Sequence, residues 1–375
     1  MKIVIDDKIP FIRGVFEPFA EVQYLPGAKI RPEDVRDADA LITRTRTACN
    51  EALLKGSSVK MIASATIGFD HIDTAWVEAA GIDWTNSPGC NSWSVKQYIS
   101  SVLVSLAKKH SLDLSHLTLG VVGVGNVGSK VAEAAQILGC KVLLNDPPRE
   151  RREGSGKFVS LDEIVAKSDI ITLHVPLTKE GEDATWHLFD RERLAALRAD
   201  QILINSSRGP VVDNAALKDV LLGGGIKAAV LDVWEGEPDL DPELVEALDY
   251  STPHIAGYSA DGKANGTTMS VRAVAAKLGL PLTDWTAEGV PAPKQSLSFE
   301  IDAAGKSLQE VLSEAILYTY DVAADSCALR SELGAFERLR GDYPIRREPR
   351  AFTVTLRGAT PEMAERLEKL EFKVQ

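Results

Sequence analysis

A glycine-rich turn within LGVVGVGNVGSKVAEAAQILGCKVLLND, at residues 119–146, constrains the fold of this chain more than any other stretch. The apolar run at 119–122 is short and β-branched, as expected of a buried parallel strand. Gly123 then permits a tight turn, Gly125 leaves no side chain in the way of a pyrophosphate, and Gly128 lets the following helix pack close to the sheet. The stretch therefore predicts a parallel sheet that binds a dinucleotide.

The residues around this turn complete the pattern. The helix that contains Asn126 and Val127 presents unpaired N–H groups at its start, and such groups favour an anion. Asp146 stands eighteen residues after Gly128, at the end of the next apolar strand, where a carboxylate can accept both ribose hydroxyls. This arrangement predicts NAD as the cofactor rather than NADP. A glycine turn in a sheet protein that binds no nucleotide would explain the glycines but not Asp146.

The composition limits the class of protein and the kinds of partner. With 375 residues, of which 45% are hydrophobic, the chain is too long for one ordinary core and suggests two or three domains. The formal charge of −12 argues against nucleic acid or an anionic membrane surface as a partner, because either would require a basic face. Any anionic ligand must therefore meet a local cluster of arginines.

The cysteines and the first residues predict the compartment. The four cysteines include no C-x-x-C pair, so neither a metal site nor a disulfide framework is expected. Acidic residues occupy positions 6 and 7, where a signal peptide would need its apolar core, and no apolar run approaches the ~18 residues of a membrane span. We therefore expect a cytoplasmic protein.

Alternating strands and helices predict an α/β fold built on a Rossmann-type doubly wound parallel sheet. Residues 94–254 are expected to form this NAD-binding domain. Residues 1–93 alternate in the same way, and a helix at about 260–278 returns the chain to them. The substrate domain is therefore predicted to be discontinuous and flavodoxin-like, with residues 1–93 plus 255–285.

A third unit is predicted at residues 286–375, which follow a proline-containing stretch. One continuous apolar helical face at 307–324 and one alternating strand at 352–356 indicate a small α+β domain. Because so small a unit buries little core of its own, we interpret it as a homodimerisation domain.

Three charged residues follow later strands of the predicted sheet: Arg208 in NSSRGPVVDN, Glu237 in LDVWEGEP and His254 in TPHIAGYS. Ligands of open α/β sheets bind at the carboxyl ends of strands, so these side chains should face one cleft. Hydride transfer from a carbon that bears a hydroxyl needs a base, a cation for the adjacent carboxylate and a nicotinamide cofactor. We assign His254 as the base, Arg208 as the cation, and Glu237 as the group that holds the imidazole in one tautomer.

Other charged and titratable residues have weaker interpretations. Arg44 and Arg46 follow an N-terminal strand and could bind a phosphate or carboxylate, although solvated surface arginines explain them equally well. The remaining histidines lack matching partners in the sequence, and we interpret His110, His116 and His187 as surface or packing residues.

The motifs GVGNVG, NSSRG, LDVWEGEP and TPHIAGYSADGKANGT together resemble those of the D-isomer-specific 2-hydroxyacid dehydrogenases, over about residues 1–285. YDVAADSCALR and FERLRGDYPIRRE in the tail, with NDPP at the ribose acid, are similar to one subgroup that acts on a phosphorylated hydroxy acid. The resemblance implies oxidation at carbon 2 with NAD, and a homodimer formed by the C-terminal domain. It also implies that Arg208 and Glu237 are active-site residues and that His254 transfers the proton.

The resemblance further implies binding residues, position by position. Substrate contacts fall on Thr45, Thr66 and Tyr258, and NAD contacts fall on Asp146, Val175, Ser206, Ser207, Asp232 and Gly257. The family usually has serine at position 45, so threonine keeps the hydroxyl, and threonine at position 175, so valine loses one. Ile67 and Phe69 stand where smaller or polar residues are usual, which points to an altered pocket near the distal end of the substrate.

Two other functions stay open. The first is another enzyme of the same family, such as one that acts on 3-phosphoglycerate, although such an enzyme of this length would lack the YPIRRE tail. The second is a non-catalytic NAD-sensing protein on the same fold, which would tolerate loss of the three charged residues that are intact here.

Overall fold

The computed structural model describes the backbone of residues 1–375 and the side chains of residues 1–154 and 156–375. In chain order the strands are β1 (Lys2–Asp6), β2 (Glu21–Leu25), β3 (Ala40–Thr43), β4 (Met61–Ser64), β5 (Asp83–Thr85), β6 (Thr118–Val122), β7 (Lys141–Asn145), β8 (Ile170–Leu173), β9 (Ile202–Asn205), β10 (Ala228–Leu231), β11 (Tyr250–Ser251), β12 (Ser298–Asp302), β13 (Thr353–Arg357) and β14 (Lys373–Val374). The helices are α1 (Pro32–Val35), α2 (Glu51–Leu54), α3 (Thr74–Ala79), α4 (Ser92–His110), α5 (Asn126–Ile137), α6 (Pro147–Glu153), α7 (Leu161–Lys167), α8 (Arg191–Ala195), α9 (Asn214–Leu222), α10 (Pro242–Ala247), α11 (Ala260–Leu278), α12 (Leu308–Thr319), α13 (Val322–Ser331), α14 (Phe336–Gly341) and α15 (Pro361–Lys369).

The chain forms two compact units. The first contains Met1–Asn91 and Ser259–Pro291, and the second contains Ser92–Tyr258 and Ala292–Gln375. The ends of the first unit lie within a few residues of the ranges that the sequence predicts for the substrate domain. Among the described residues, no helix combines the length and the apolar character that crossing a membrane requires.

The sheet of the first unit is parallel throughout, with the strand order β2-β1-β3-β4-β5. Along β1, Val4 packs into one apolar cluster while Ile3 and Ile5 pack into another on the opposite face. Helix α11 adds Val271 and Val274 to the second cluster, so both faces of the sheet are covered. The edge strands β2 and β5 were not predicted, because their residues are only partly buried or exposed and carry little apolar pattern.

The second unit contains a parallel sheet in the order β11-β10-β9-β8-β6-β7. The apolar run at 119–122 corresponds to β6, and the apolar runs at 170–175, 201–205 and 228–232, which the alternating pattern also predicts as strands, correspond to β8, β9 and β10. The chain runs outward from β6 to β7 on one side and then continues from β8 on the other side. This reversal is the switch point at which open α/β sheets bind ligands, and it confirms the Rossmann-type fold.

The C-terminal residues contain more sheet than the sequence predicts. Strands β12, β13 and β14 form a parallel three-stranded sheet, whereas a single strand at 352–356 was expected. Only β13 alternates clearly enough in sequence to be recognised. Ile301 of β12 and Val354 of β13 pack in the same apolar cluster as α4 and α5, so these residues share a core with the Rossmann-type sheet.

The single helix predicted at 307–324 is wrong. The structure divides it into α12 and α13. The extended backbone of Tyr320 (φ −159°, ψ 124°) ends α12, and the side chain of Asp321 accepts a backbone N–H of α13 and caps it. An acidic N-cap competes with helix continuation, and it therefore breaks the helix although the apolar periodicity continues across it.

Candidate active site

The glycine-rich turn joins β6 to α5 with the geometry that a nucleotide requires. Gly123 has a positive φ of +85°, and a β-carbon on Gly128 would lie 1.9 Å from the carbonyl oxygen of Gly123. A β-carbon on Gly125 would have no atom of the described residues within 4 Å. The turn thus leaves open space beside the exposed start of α5, at Asn126 and Val127, where unpaired N–H groups favour a pyrophosphate.

Asp146 lies beside this turn at the end of β7. Its Oδ2 accepts the backbone N–H of Val124 at 2.8 Å, and its Oδ1 accepts that of Arg149 at 3.0 Å, which caps α6. Each carboxylate oxygen can accept a further hydrogen bond, so the group retains capacity for two ribose hydroxyls. Val175 packs against the turn, with Cγ1 2.8 Å from the position that a β-carbon on Gly123 would occupy. These residues fit NAD.

Replacing Asp146 with Ala should weaken NAD binding by roughly 10- to 100-fold, because two hydrogen bonds to a charged acceptor are lost. Removal of the helix cap should also lower the free energy of unfolding by ~1 kcal/mol. Asp190→Ala is the matched control, since Asp190 caps α8 by accepting the N–H of Arg193 at 2.9 Å. The control should lose similar stability and keep its NAD affinity, as measured by calorimetric titration. Equal NAD affinity in the two variants would contradict the assignment of Asp146.

Asn205 organises the loop that carries Arg208. It is fully buried at the end of β9, and its Oδ1 accepts the backbone N–H of Ser207 at 3.1 Å and the hydroxyl of Ser207 at 2.8 Å. Its Nδ2 donates to the carbonyl of Arg208 at 2.9 Å. Within the part of the chain whose side chains are described, the buried hydroxyl of Ser206 has no hydrogen-bond partner. Asn205 was not predicted from the sequence, because its partners at 207 and 208 are set by the turn that follows β9.

Gly209 brings this loop against the loop of Glu237. A β-carbon at position 209 would lie 2.0 Å from both the carbonyl carbon and the carbonyl oxygen of Trp234. No side chain fits at that distance, so the two loops approach each other only because position 209 is glycine. The glycine of NSSRGP is therefore required by the contact between these two loops and not by the local backbone of its own loop.

Replacing Gly209 with Ala should lower the free energy of unfolding by about 1–3 kcal/mol, because one of the two loops must move. The same movement should lower kcat/KM by at least about tenfold, since displacement of reacting groups is strongly felt in the rate. Gly334→Ala provides the control, because a β-carbon there meets no described atom within 4 Å. Denaturant unfolding and turnover should both be unaffected in the control, and an equally mild Gly209→Ala would show that the loops are not constrained in this way.

His254 and Glu237 form a hydrogen-bonded pair. The Nδ1 of His254 lies 2.8 Å from Oε2 of Glu237, and Oε1 of Glu237 accepts the backbone N–H of Trp234 at 2.9 Å. The backbone of His254 has φ +56°, a region that residues other than glycine rarely adopt, and its N–H donates to the carbonyl of Asp232 at 2.7 Å. Such strain persists where surrounding contacts hold a residue in place, often at functional sites.

The pair is electrostatically matched. Burial raises the pKa of Glu237. The hydrogen bond and charge of His254, the N–H of Trp234 and the charge of Arg340 together lower it by more, so the pKa lies below its ordinary value of 4.5. Glu237 is therefore a carboxylate at neutral pH, and it accepts a hydrogen bond from the N–H at Nδ1 of His254. The side chain of His254 is 33% exposed, and its Nε2 is not engaged by Glu237.

Asp232 builds the loop around His254. Its Oδ1 accepts the hydroxyl of Thr252 at 2.6 Å and the N–H of Ile255 at 2.8 Å, and its Oδ2 accepts the N–H of Ala256 at 2.9 Å. Burial raises the pKa of Asp232, and the charge of His254 and these hydrogen bonds offset only part of that rise. The structure thus gives Asp232 a role in loop geometry, and its contact with NAD stays a prediction.

Gly257 and Tyr258 end the same loop. The Tyr258 ring meets the ring of Tyr343 edge-on, with centroids 5.9 Å apart and an interplanar angle of 84°. The guanidinium of Arg340 lies 5.7 Å from the centroid of the Tyr258 ring. Residues of the C-terminal tail therefore pack against a predicted substrate contact, which the sequence pattern did not indicate.

Four further predicted substrate residues lie in the first unit, in the loops that follow β3 and β4. Ser64 links the two loops, since its hydroxyl lies 2.9 Å from that of Thr66 and donates to the carbonyl of Arg44 at 3.4 Å. The side chains of Thr45 and Arg46 are exposed, and Arg44 is half-buried. Their contact with a substrate stays a prediction.

His187 and His110, which were predicted to lack partners, each pair with a carboxylate, so that prediction is wrong. The Nε2 of His187 lies 2.7 Å from Oε1 of Glu235, and His110 pairs with Asp249. These partners are 48 and 139 residues away in sequence, so spacing could not reveal them. A histidine–carboxylate pair alone therefore does not identify the base.

Known proteins similar to this chain cover nearly all of it. The family described as D-isomer specific 2-hydroxyacid dehydrogenase, NAD binding domain, matches residues 93–256, and a domain family of unknown function matches residues 293–370. The chain is 52% identical over 357 residues to the erythronate-4-phosphate dehydrogenase of Bacteroides fragilis, covering 95% of this chain and 99% of that protein. It is 44% identical over 351 residues to that of Klebsiella pneumoniae, covering 93% and 92%. The solved D-lactate dehydrogenase of Aquifex aeolicus, complexed with NAD and lactic acid, is similar with a TM-score of 0.63 and 28% identity, covering 74% of this chain and 96% of that chain.

Proposed function

Because this chain belongs to the erythronate-4-phosphate dehydrogenase family, among the D-isomer-specific 2-hydroxyacid dehydrogenases, we propose that it oxidises 4-phospho-D-erythronate at carbon 2. The product is (R)-3-hydroxy-2-oxo-4-phosphooxybutanoate, on a route to pyridoxal 5′-phosphate. The chain is an NAD-dependent dehydrogenase. The observation that carries the proposal is the pair of His254 and Glu237, 2.8 Å apart, in the loops that follow β11 and β10, at the same edge of the parallel sheet as the glycine turn after β6.

In the proposed reaction the Nε2 atom of His254 takes the proton of the substrate hydroxyl, because its Nδ1 is hydrogen-bonded to Glu237. The Glu237 carboxylate stabilises the imidazolium that results, and the imidazole keeps one orientation. Arg208 binds the substrate carboxylate, since a guanidinium fork suits two carboxylate oxygens. When bound, NAD accepts the hydride that leaves carbon 2.

Further residues are proposed to contact the substrate. Thr45, Thr66 and Tyr258 supply hydroxyl groups, and Arg44 and Arg46 supply the positive charge that a phosphate requires. Support comes from the exposure of Thr45 and Arg46 after β3 in a chain whose net charge is −12, because an anion must find local cations in such a protein.

The protein is also proposed to form a homodimer through its C-terminal residues, and to work in the cytoplasm. The half-buried ring of Phe299 on β12 stacks on the half-buried ring of Tyr318 on α12, with centroids 3.9 Å apart. Such rings are enriched at protein interfaces. All four cysteines are free, which fits a reducing compartment. Sedimentation equilibrium would test the dimer.

The proposed function is tested by following NADH absorbance with purified protein, NAD and three acids in parallel: 4-phospho-D-erythronate, 3-phosphoglycerate and unphosphorylated erythronate. A 2-oxo acid is included in half of the reactions, and the oxo product is trapped and quantified, so that cofactor reoxidised in place is also detected. Product from phosphoerythronate alone is expected. Preferential oxidation of 3-phosphoglycerate would assign the chain to a different reaction of the family, and absence of any product with intact NAD binding would favour an NAD sensor.

A further inference from the structure

A buried guanidinium from the C-terminal tail reaches the loop that carries His254. Arg346 is only 4% exposed, and its Nη2 donates to the carbonyl oxygen of Ala256 at 2.6 Å. Ala256 lies two residues after His254, and its N–H is bonded to the Asp232 carboxylate at 2.9 Å. Both polar backbone groups of Ala256 are thus fixed by buried charged side chains.

The position of Arg346 is itself well defined. Its guanidinium lies 4.5 Å from the ring centroid of Tyr320 and 5.8 Å from that of Tyr343. Both tyrosine hydroxyls donate to the carboxylate of Asp325, at 2.9 Å and 2.7 Å. The aromatic faces and the carboxylate behind them compensate the positive charge, so the guanidinium has little freedom to move away from the carbonyl.

Packing alone does not account for an arginine here. Among the residues whose side chains are described, Nε and Nη1 of Arg346 are buried without a hydrogen-bond partner. Burial of a charged group with unmatched donors destabilises a fold, and only the contacts that the charged group makes can offset that cost. Those contacts are the two tyrosine rings, the charge of Asp325 and the hydrogen bond from Nη2 to Ala256, and of these only the hydrogen bond reaches the loop of His254.

Arg330 provides a comparison from the same tail. It lies on α13, and its Nη2 donates to the carbonyls of Leu248 and Asp249, while its Nε donates to the hydroxyl of Ser251 at 3.4 Å. Arg330 thus ties the tail to the edge strand β11 by the same kind of bond. It makes none of these hydrogen bonds to the loop at 254–258.

We propose that Arg346 is a positioning residue for the reaction, acting through Ala256 to hold His254 at its working position. This inference rests on the proposed function, and it gives the C-terminal tail a part in turnover in addition to any part in association. Because the reacting groups must be held to within a fraction of an ångström, a small displacement of the loop is expected to slow the chemistry more than the binding of either ligand.

The test compares Arg346→Met, Arg346→Lys and Arg330→Met in the full-length protein. Arg346→Met should lower kcat by about 10²-fold, with KM and the Kd for NAD changed by less than about threefold and the thermal midpoint lowered no more than in Arg330→Met. Arg346→Lys should recover about tenfold of that loss, since an ammonium can still donate to the carbonyl. Arg330→Met should lower the thermal midpoint and leave kcat unchanged. A structural role alone would not give this split.

Amide hydrogen exchange of the residues 254–258, measured by mass spectrometry, gives a readout that does not depend on turnover. Faster exchange in Arg346→Met than in Arg330→Met supports positioning, and equal exchange overturns it. Wild-type kcat in Arg346→Met overturns the inference too, as does a loss of activity that tracks unfolding in both Met variants. Failure of the unsubstituted protein to oxidise any of the three acids would instead count against the proposed function, and the exchange measurement would then decide the positioning role.

Discussion

Replacing His254 with Gln should lower kcat for phosphoerythronate oxidation by about 10²- to 10⁴-fold, the usual contribution of general acid–base catalysis. Glutamine can still hydrogen-bond to Glu237, which lies 2.8 Å from the imidazole, but it cannot take the hydroxyl proton. The affinity for NAD should change little, because the glycine turn and Asp146 are untouched. Steady-state formation of NADH and calorimetric titration with NAD measure the two quantities.

His187→Gln is the matched control for this experiment. His187 also lies 2.7 Å from a glutamate, Glu235, and has a positive φ of +48°. If the histidine–carboxylate pair at position 254 is the catalytic one, the control should retain kcat within a few-fold. A rate in His254→Gln that equals the control would remove His254 from the mechanism.

Replacing Arg208 with Met should lower kcat/KM for the substrate by about 10²- to 10⁴-fold. A guanidinium fork on a carboxylate makes two charge-assisted hydrogen bonds, each of about 1.5–3 kcal/mol. The loss should appear largely in KM, because the carboxylate is present before and after the hydride leaves. Arg208→Lys should be intermediate, since it keeps the charge and loses the fork.

A surface arginine offers the control for the charge change. Arg191 pairs with Asp219 at 2.8 Å, and its side chain is 64% exposed, so Arg191→Met removes one positive charge without touching the loop of Arg208. Its kcat/KM should stay at the unsubstituted value. If Arg208→Met behaved in the same way, another residue would have to bind the carboxylate.

The sequence predicted the features whose residues lie close together along the chain. The positive φ at Gly123, the close approach at Gly128 and the position of Asp146 at the end of β7 all lie within one strand–turn–helix–strand stretch, so spacing alone reveals them. The same holds for the sheet of the second unit, whose buried strands are continuous apolar runs. Arg208, Glu237 and His254 were predicted because each follows such a run, where open α/β sheets bind ligands.

The tertiary structure decided which groups hold these residues in place. The hydrogen bonds of Asp232 to the loop at 252–256, the approach of Gly209 to Trp234, and the reach of Arg346 to Ala256 join positions 20 to 90 residues apart. Such partners leave no periodic signal, because a buried polar group needs one partner at hydrogen-bond distance and the chain can supply it from any element that packs there. The sequence by itself thus determined the nucleotide fold and the residues predicted to react, and only packing determined the geometry of the loop that carries His254.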